Sequence, residues 1–262
     1  MRESRGSTRR SLPSPPAGSR AENLNKIRWW SPRSRPVATR EGGGWHWRFR
    51  AVWCRYGDRM REPVENPAAL QEHDPAWASR ADEHLDQVRQ AFRGLPGAGD
   101  AAYDHIGSTS VPGLAAKPYI DLQVRILPLP SHAQLVPRLE PLGFHRARGA
   151  RPDSPGVTRD VPRGDEQAPD EVWEKRLYVQ QREGVILHVR RSDSPWGRHT
   201  VWFRDWLREH PAERVRYEQT KRQLSRESVG KPDYDDYTRG KTAFFDEAQP
   251  TFTSWARRHE HG

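Results

Sequence analysis

Two short strand-like runs joined by a loop of small residues constrain this chain more than any other feature. Ala101 to Ile106 reads as a strand stopped by Gly107, and Tyr119 to Ile126 as a second strand that presents Asp121. Residues 108–118, between them, are rich in Ser, Gly, Pro and Ala and read as a loop. Before this unit, Asp74 and Pro75 open a helix with Trp77, Ala81, Leu85, Val88 and Phe92 on one face, ended by Gly94, Pro96 and Gly97. After it, Ser131 to Glu140 suits a helix and Gly143 to Arg146 a strand. Leu177 to Gln180 and Val185 to Val189 suit a hairpin around Glu183-Gly184. Three helices over about 196–209, 212–227 and 233–248 close the pattern, with Pro211 and Pro232 near two of the starts. Residues 149–171, rich in Pro, Gly, Asp and Arg, read as a mobile loop. Elements that both interleave and segregate imply an α+β fold with a mixed sheet.

Charge divides the chain. Of the net +9, residues 1–59 hold 14 Lys and Arg against 4 Asp and Glu, a surplus of 10, while residues 60–262 hold 30 against 31. A basic balance therefore says little about the larger part. Residues 1–43 show no helical or strand period and read as a disordered basic extension. Residues 44–56 alternate aromatic and basic groups, a pattern suited to stacking on single-stranded nucleic acid. The simpler expectation is that translation begins at Met60, the only internal methionine, so nucleic acid is not an expected partner. One domain over 60–250 and a tail over 251–262 follow. No apolar run of 18 residues offers a membrane span, and no apolar stretch near the start offers a secretory signal. The single cysteine, Cys54, cannot close an internal disulfide, which gives a cytoplasmic expectation.

The stretch His105-Ile-Gly-Ser-Thr-Ser-Val-Pro-Gly-Leu-Ala-Ala-Lys-Pro-Tyr-Ile-Asp121 holds the chemistry. Gly107 lets backbone approach a ligand closely, and the amides and hydroxyls of Ser108, Thr109 and Ser110 suit phosphate oxygens. Lys117 supplies positive charge, and Asp121 suits a Mg²⁺ whose other ligands are phosphates and water. A small-residue turn between two strands is also commonplace without any ligand.

This stretch closely resembles the signature of the GrpB-like family, which has a nucleotidyltransferase fold. Glu72-His-Asp-Pro-Ala-Trp77 resembles the family's opening motif, and Leu187-His188-Val189 its later strand. Phe203-Arg-Asp-Trp-Leu-Arg-Glu-His-Pro211, with Tyr217, Lys221, Tyr237 and Lys241, resembles its helical region. The likeness spans most of residues 64–248. It implies a nucleotidyltransferase-like mixed sheet flanked by helices, with a C-terminal helical segment. It also implies transfer of a nucleotidyl or related phosphoryl group from a nucleoside triphosphate, with Mg²⁺ or Mn²⁺. Similar domains fused to dephospho-CoA kinases point to nucleotide or coenzyme A chemistry.

The pattern departs at one place. Two acids at i and i+2 on a strand face one way and can share metal, but here the pair is Asp121 and Gln123. Glutamine coordinates through a neutral carbonyl, so a two-metal site is not expected, and a non-catalytic nucleotide- or coenzyme A-binding module is the alternative. Asp121 and His188 are the catalytic candidates, Asp121 and Gln123 the metal candidates. His105, Gly107, Ser108, Thr109, Lys117, Arg176, Arg204, Lys221 and Lys241 are the phosphate-binding candidates, with Arg190 a further clamp. His105 and His188 also suit structural roles. Lys221 and Lys241 fall in register with the apolar positions Tyr217 and Leu224, and Tyr237 and Phe244. A lysine so placed snorkels, pairs with an acid or faces a polar recess. The expected partner is a nucleotide or other phosphorylated small molecule. Acceptor and oligomeric state are not legible.

Overall fold

The computed structural model describes residues 39–41, 44–46, 66–149, 154, 156–162 and 168–259. The chain divides into Met1–Arg59 and Met60–Gly262. In the first unit, strands β1 (Thr39–Glu41) and β2 (Gly44–His46) pair antiparallel. This corrects the reading of 1–43 as wholly without structure. Strand pairing needs only three residues a side here, too few to show a period. The other residues of 1–59, including most of the aromatic-basic stretch and Met60 beyond it, lie outside the described residues.

In the second unit, α1 (Ala76–Ala91) begins where the Asp74 carboxylate accepts the Ala76 amide at 2.9 Å. All five apolar positions read from its period are buried, Ala81, Val88 and Phe92 completely. Five strands follow: β3 (Ala102–Ile106), β4 (Ile120–Arg125), β5 (His145–Arg146), β6 (Lys175–Gln180) and β7 (Val185–Arg190). They form one sheet in the order β3-β4-β7-β6-β5, parallel only between β4 and β7. Between β4 and β5 lies α2 (His132–Leu139), whose start is a reciprocal cap. The Ser131 hydroxyl accepts the Gln134 amide, and the Gln134 side chain accepts the Ser131 amide at 2.9 Å. Ser131→Ala should cost about 1 kcal/mol, read as a small drop in thermal midpoint.

Strand alternation gives the sheet two unlike faces. Ile120, Leu122, Val124, Tyr178, Val185, Leu187 and Val189 pack with α1 and α2 into the main core. The opposite face holds Asp104, Asp121, Gln123, Arg125, Lys175, His188 and Arg190, brought side by side by the register Asp104–Gln123–His188. Polar groups tolerate burial only when paired. Helix α3 (Pro195–Glu209) supplies part of that pairing. At Gly197 a side chain would press on Arg125, so glycine lets the helix backbone reach the sheet.

Helices α4 (Pro211–Glu227) and α5 (Asp235–His259) complete the fold. The third C-terminal helix therefore runs beyond 248, and the expected tail at 251–262 is corrected. Pro250 deprives α5 of one hydrogen bond, a cost of about 3 kcal/mol. Burial of Phe252 and Trp255, about 1.5–3 kcal/mol each, offsets it. These residues join Trp206, Leu207, Tyr217 and Phe244 in a second core, into which Val111 and Leu114 of the β3–β4 loop also pack.

Among the described residues no helix is long and apolar enough to cross a membrane.

Candidate functional site at the β3–β4 loop

The chain leaves β3 through Gly107, whose φ of +72° is a left-handed conformation that glycine adopts without strain. A side chain at this position would collide with the Asp121 carboxylate. The bend and Asp121 thus meet because one residue lacks a Cβ. Ser108–Ser110 form one short helical turn, and the Ser110 hydroxyl donates to the Gly107 carbonyl at 2.6 Å.

The C-terminal helices grip this loop by its backbone. Arg204 donates to the His105 carbonyl at 2.9 Å, and Arg208 donates twice to the Ser110 carbonyl, at 2.8 and 3.1 Å. From α4, Lys221 donates to the Ala115 carbonyl, and Glu218 accepts the Ala115 amide at 3.0 Å. Tyr217 hydrogen-bonds Ser108.

Several candidates are thereby reassigned. Arg204 is also bidentate with Asp205, leaving it a brace of the bend instead of a phosphate clamp. Lys221 is fully buried, and burial first, then the nearby Lys241 charge, pushes its amine well below the ordinary lysine range. It anchors the loop. The buried Thr109 hydroxyl is held by His105 Nε2 at 3.0 Å. Burial lowers His105 to about 4, so its neutral ring orients the turn. Arg176 pairs in register with Val189, on the core face, and bonds Glu174. Side-chain alternation puts it on the opposite face from Asp121.

Gln123 is corrected as a metal candidate. Its amide donates to Gly197 O at 3.0 Å and Asp104 at 3.4 Å, while its carbonyl accepts Arg190 at 2.8 Å and Thr200 at 3.0 Å. Both donors and both lone pairs are used. Asp104, on the same face, is engaged by Arg125 at 3.2 Å. Asp121 lies 3.5 Å from His188 Nε2. Burial alone would raise its pKa, but the hydrogen bond from His188 and the charges of Lys241 and Lys117 together hold it below the usual carboxylate value. Among the described residues no three His, Cys, Asp or Glu are grouped to hold a metal. A single carboxylate flanked by two amines is a poor donor set for a protein-held Mg²⁺ or Mn²⁺.

Behind His188 lies a buried charge network that sequence reasoning missed. Its Nδ1 sits 3.4 Å from both Lys175 Nζ and Arg190 Nη2. Arg190 is bidentate with Asp160 at 2.7 and 3.1 Å, and Lys175 pairs with Asp160 at 3.0 Å. Burial first, then these two cations, lower His188 to about 4, making the neutral ring with Nε2–H toward Asp121 the fitting form. Asp160 comes from the segment read as a mobile loop, yet it is 3% exposed and its amide donates to Trp173 O. Arg190 therefore belongs to this network, not to a phosphate clamp.

Two cations remain at the bend. Lys117 Nζ lies 3.2 Å from the centroid of the Tyr234 ring, with Tyr119 at 5.4 Å and Tyr237 at 5.6 Å. Lys241 Nζ lies 4.9 Å from the same Tyr237 ring. Burial, and next the Lys241 charge, lower Lys117 to about 7 against the opposite pull of Asp121 and Asp235. Burial also lowers Lys241, with Asp121 opposing. Among the described residues, no carboxylate stands within ion-pair distance of either amine. Tyr217 and Tyr237 fall in the helical motif, whereas nothing in the sequence singled out Tyr234.

A family model described as GrpB protein matches residues 67–250. The chain belongs to the GrpB family. The resemblance therefore holds, as does the expected mixed sheet flanked by helices with a C-terminal helical segment. A UPF0157 protein of Pseudomonas aeruginosa is 34% identical over 187 residues, covering 71% of this chain and 67% of that protein. A dephospho-CoA kinase of Mycolicibacterium paratuberculosis is 28% identical over 217 residues, covering 80% of this chain. The chain spans 52% of that kinase's length. A crystal structure of the conserved protein GrpB from Enterococcus faecalis aligns with a TM-score of 0.48 and 23% identity, covering 69% of this chain and 99% of that one.

Proposed function

We propose that this GrpB-family chain binds the phosphate-bearing end of a nucleotide- or coenzyme A-type ligand at the Gly107 bend. The carrying observation is the charge at the site. Lys117 and Lys241 are drawn from water near Asp121, with Asp235 the other acid acting on Lys117, and an arriving polyanion would relieve both amines. The Gly107-Ser108 bend supplies close backbone approach, and α3 and α4 hold it in shape. The kinase relative's name supports a coenzyme A-type ligand. Nucleotidyl transfer is the second reading, favoured by Asp121, which is held ionised against the bend as a base for an acceptor hydroxyl.

Calorimetric titration of the full chain with ATP, coenzyme A, dephospho-CoA and tripolyphosphate tests this. Lys117→Met and Lys241→Met should each weaken binding about tenfold, near 1.4 kcal/mol. Affinity should fall as pH rises through about 7, because Lys117 then loses the charge that attracts phosphate. Lack of binding at millimolar ligand, or affinity indifferent to both substitutions, would overturn the reading. Pyrophosphate release that disappears in Asp121→Ala would favour transfer over binding alone.

A further inference from the structure

We propose that Lys117 is an amine nucleophile, and that the bend accepts a phosphorylated aldehyde or ketone which Lys117 captures as an imine. This deepens the phosphate-binding reading and rests on it for the part of the ligand that carries phosphate.

A lysine becomes nucleophilic near neutral pH when it is desolvated or set beside another cation. Both conditions meet here through geometry. Three tyrosine rings surround the Lys117 amine, and one of them, Tyr237, is shared with Lys241. No ion pair among the described residues fixes the Lys117 charge, in contrast to Lys175, which is locked to Asp160. Lys221 is equally desolvated but fully buried and spent on Ala115, so it cannot meet a ligand, whereas Lys117 remains partly exposed. The groups facing Lys117 are Tyr119 and Asp121 around β4, and Tyr234, Asp235, Tyr237 and Lys241 at and before the start of α5. The two acids favour the ammonium form; burial and Lys241 favour the free amine and prevail. An amine near 7 is about half unprotonated at neutral pH, against roughly one in several thousand for an ordinary lysine.

The step balances without a further reactant. The Nζ lone pair adds to the carbonyl carbon and forms the C–N bond of a carbinolamine. The carbonyl oxygen then leaves as water, taking both protons the nitrogen carried as a free amine. A phosphate on the same molecule would lie against the Gly107 bend and Lys241.

Pyridoxal 5′-phosphate and unphosphorylated pyridoxal serve as probes of the full chain, with borohydride trapping, imine absorbance and peptide mapping. The expected result is one reduced adduct, on Lys117, formed with a pH midpoint near 7. Lys117→Arg should lose it, and Lys241→Met should move the midpoint upward by removing the neighbouring charge. Labelling spread over several lysines, or a midpoint unmoved in Lys241→Met while Lys117 is labelled, would overturn the proposal. The unphosphorylated probe separates the two readings. Equal labelling of Lys117 by both probes keeps the nucleophile and removes the phosphate site, whereas phosphate binding without any Lys117 adduct does the reverse.

Discussion

Asp160→Ala should destabilise the fold by about 3–5 kcal/mol, the usual consequence of removing one partner from a buried ion cluster. Asp160 is 3% exposed, and its carboxylate is the ion-pair partner of both Arg190 and Lys175. The substitution strands the Arg190 guanidinium, which is 1% exposed. Lys175, already lowered to about 8 by burial, can shed its proton, which limits the loss. Asp160→Asn should cost less, since an amide oxygen still accepts one hydrogen bond. Urea denaturation at pH 7 measures both; a change under 1 kcal/mol in the alanine variant would refute the role given to this network. The pH dependence has a definite sign. Burial opposes ionisation, but Arg190 and Lys175 lower Asp160 from 3.8 to about 2. Its contribution is therefore complete above about pH 4 and lost as pH falls through about 2, on the order of 2 kcal/mol. That part of the acid slope should vanish in Asp160→Asn.

Phe252→Ala should cost about 3–5 kcal/mol, and truncation after Pro250 should unfold the C-terminal helices. Phe252 is fully buried, with its ring centroid 5.4 Å from Phe203, 5.1 Å from Phe245 and 6.1 Å from Trp206. A tail would tolerate either change. Because Val111 and Leu114 share this core, loosening it should also weaken ligand binding at the bend, without any contact between Phe252 and the ligand. A denaturation midpoint within error of the parent would show the extension of α5 to be unimportant.

Local patterns were legible wherever one face of an element meets an apolar core. The 3.6-residue period of α1 named four of its five buried positions and the buried Phe92 just past its end, missing only the polar His84, and the strand runs from 101 to 190 fell within two residues of the observed bounds. The bend was also legible, since Gly107, Asp121 and Lys117 lie in one stretch. The partners of Gln123, Arg204 and Lys221 escape sequence reading because they are set by atoms distant in sequence. Arg204 finds its carbonyl 99 residues away and Lys221 106 residues away. Composition suggested mobility for 149–171, whereas Asp160 within it is buried and paired with Arg190 and Lys175.

Periodicity and turn chemistry were enough to give this chain its elements, its mixed sheet and a glycine bend beside one aspartate, because those depend on neighbours a few residues apart. Which cations stay available at that bend was decided only by tertiary structure. Burial and long-range pairing committed Lys175, Lys221, Arg190 and Arg204 elsewhere, leaving Lys117 and Lys241 facing Asp121 among tyrosines. No spacing along the chain records how much water an amine has lost or which distant carbonyl has taken its hydrogen bond.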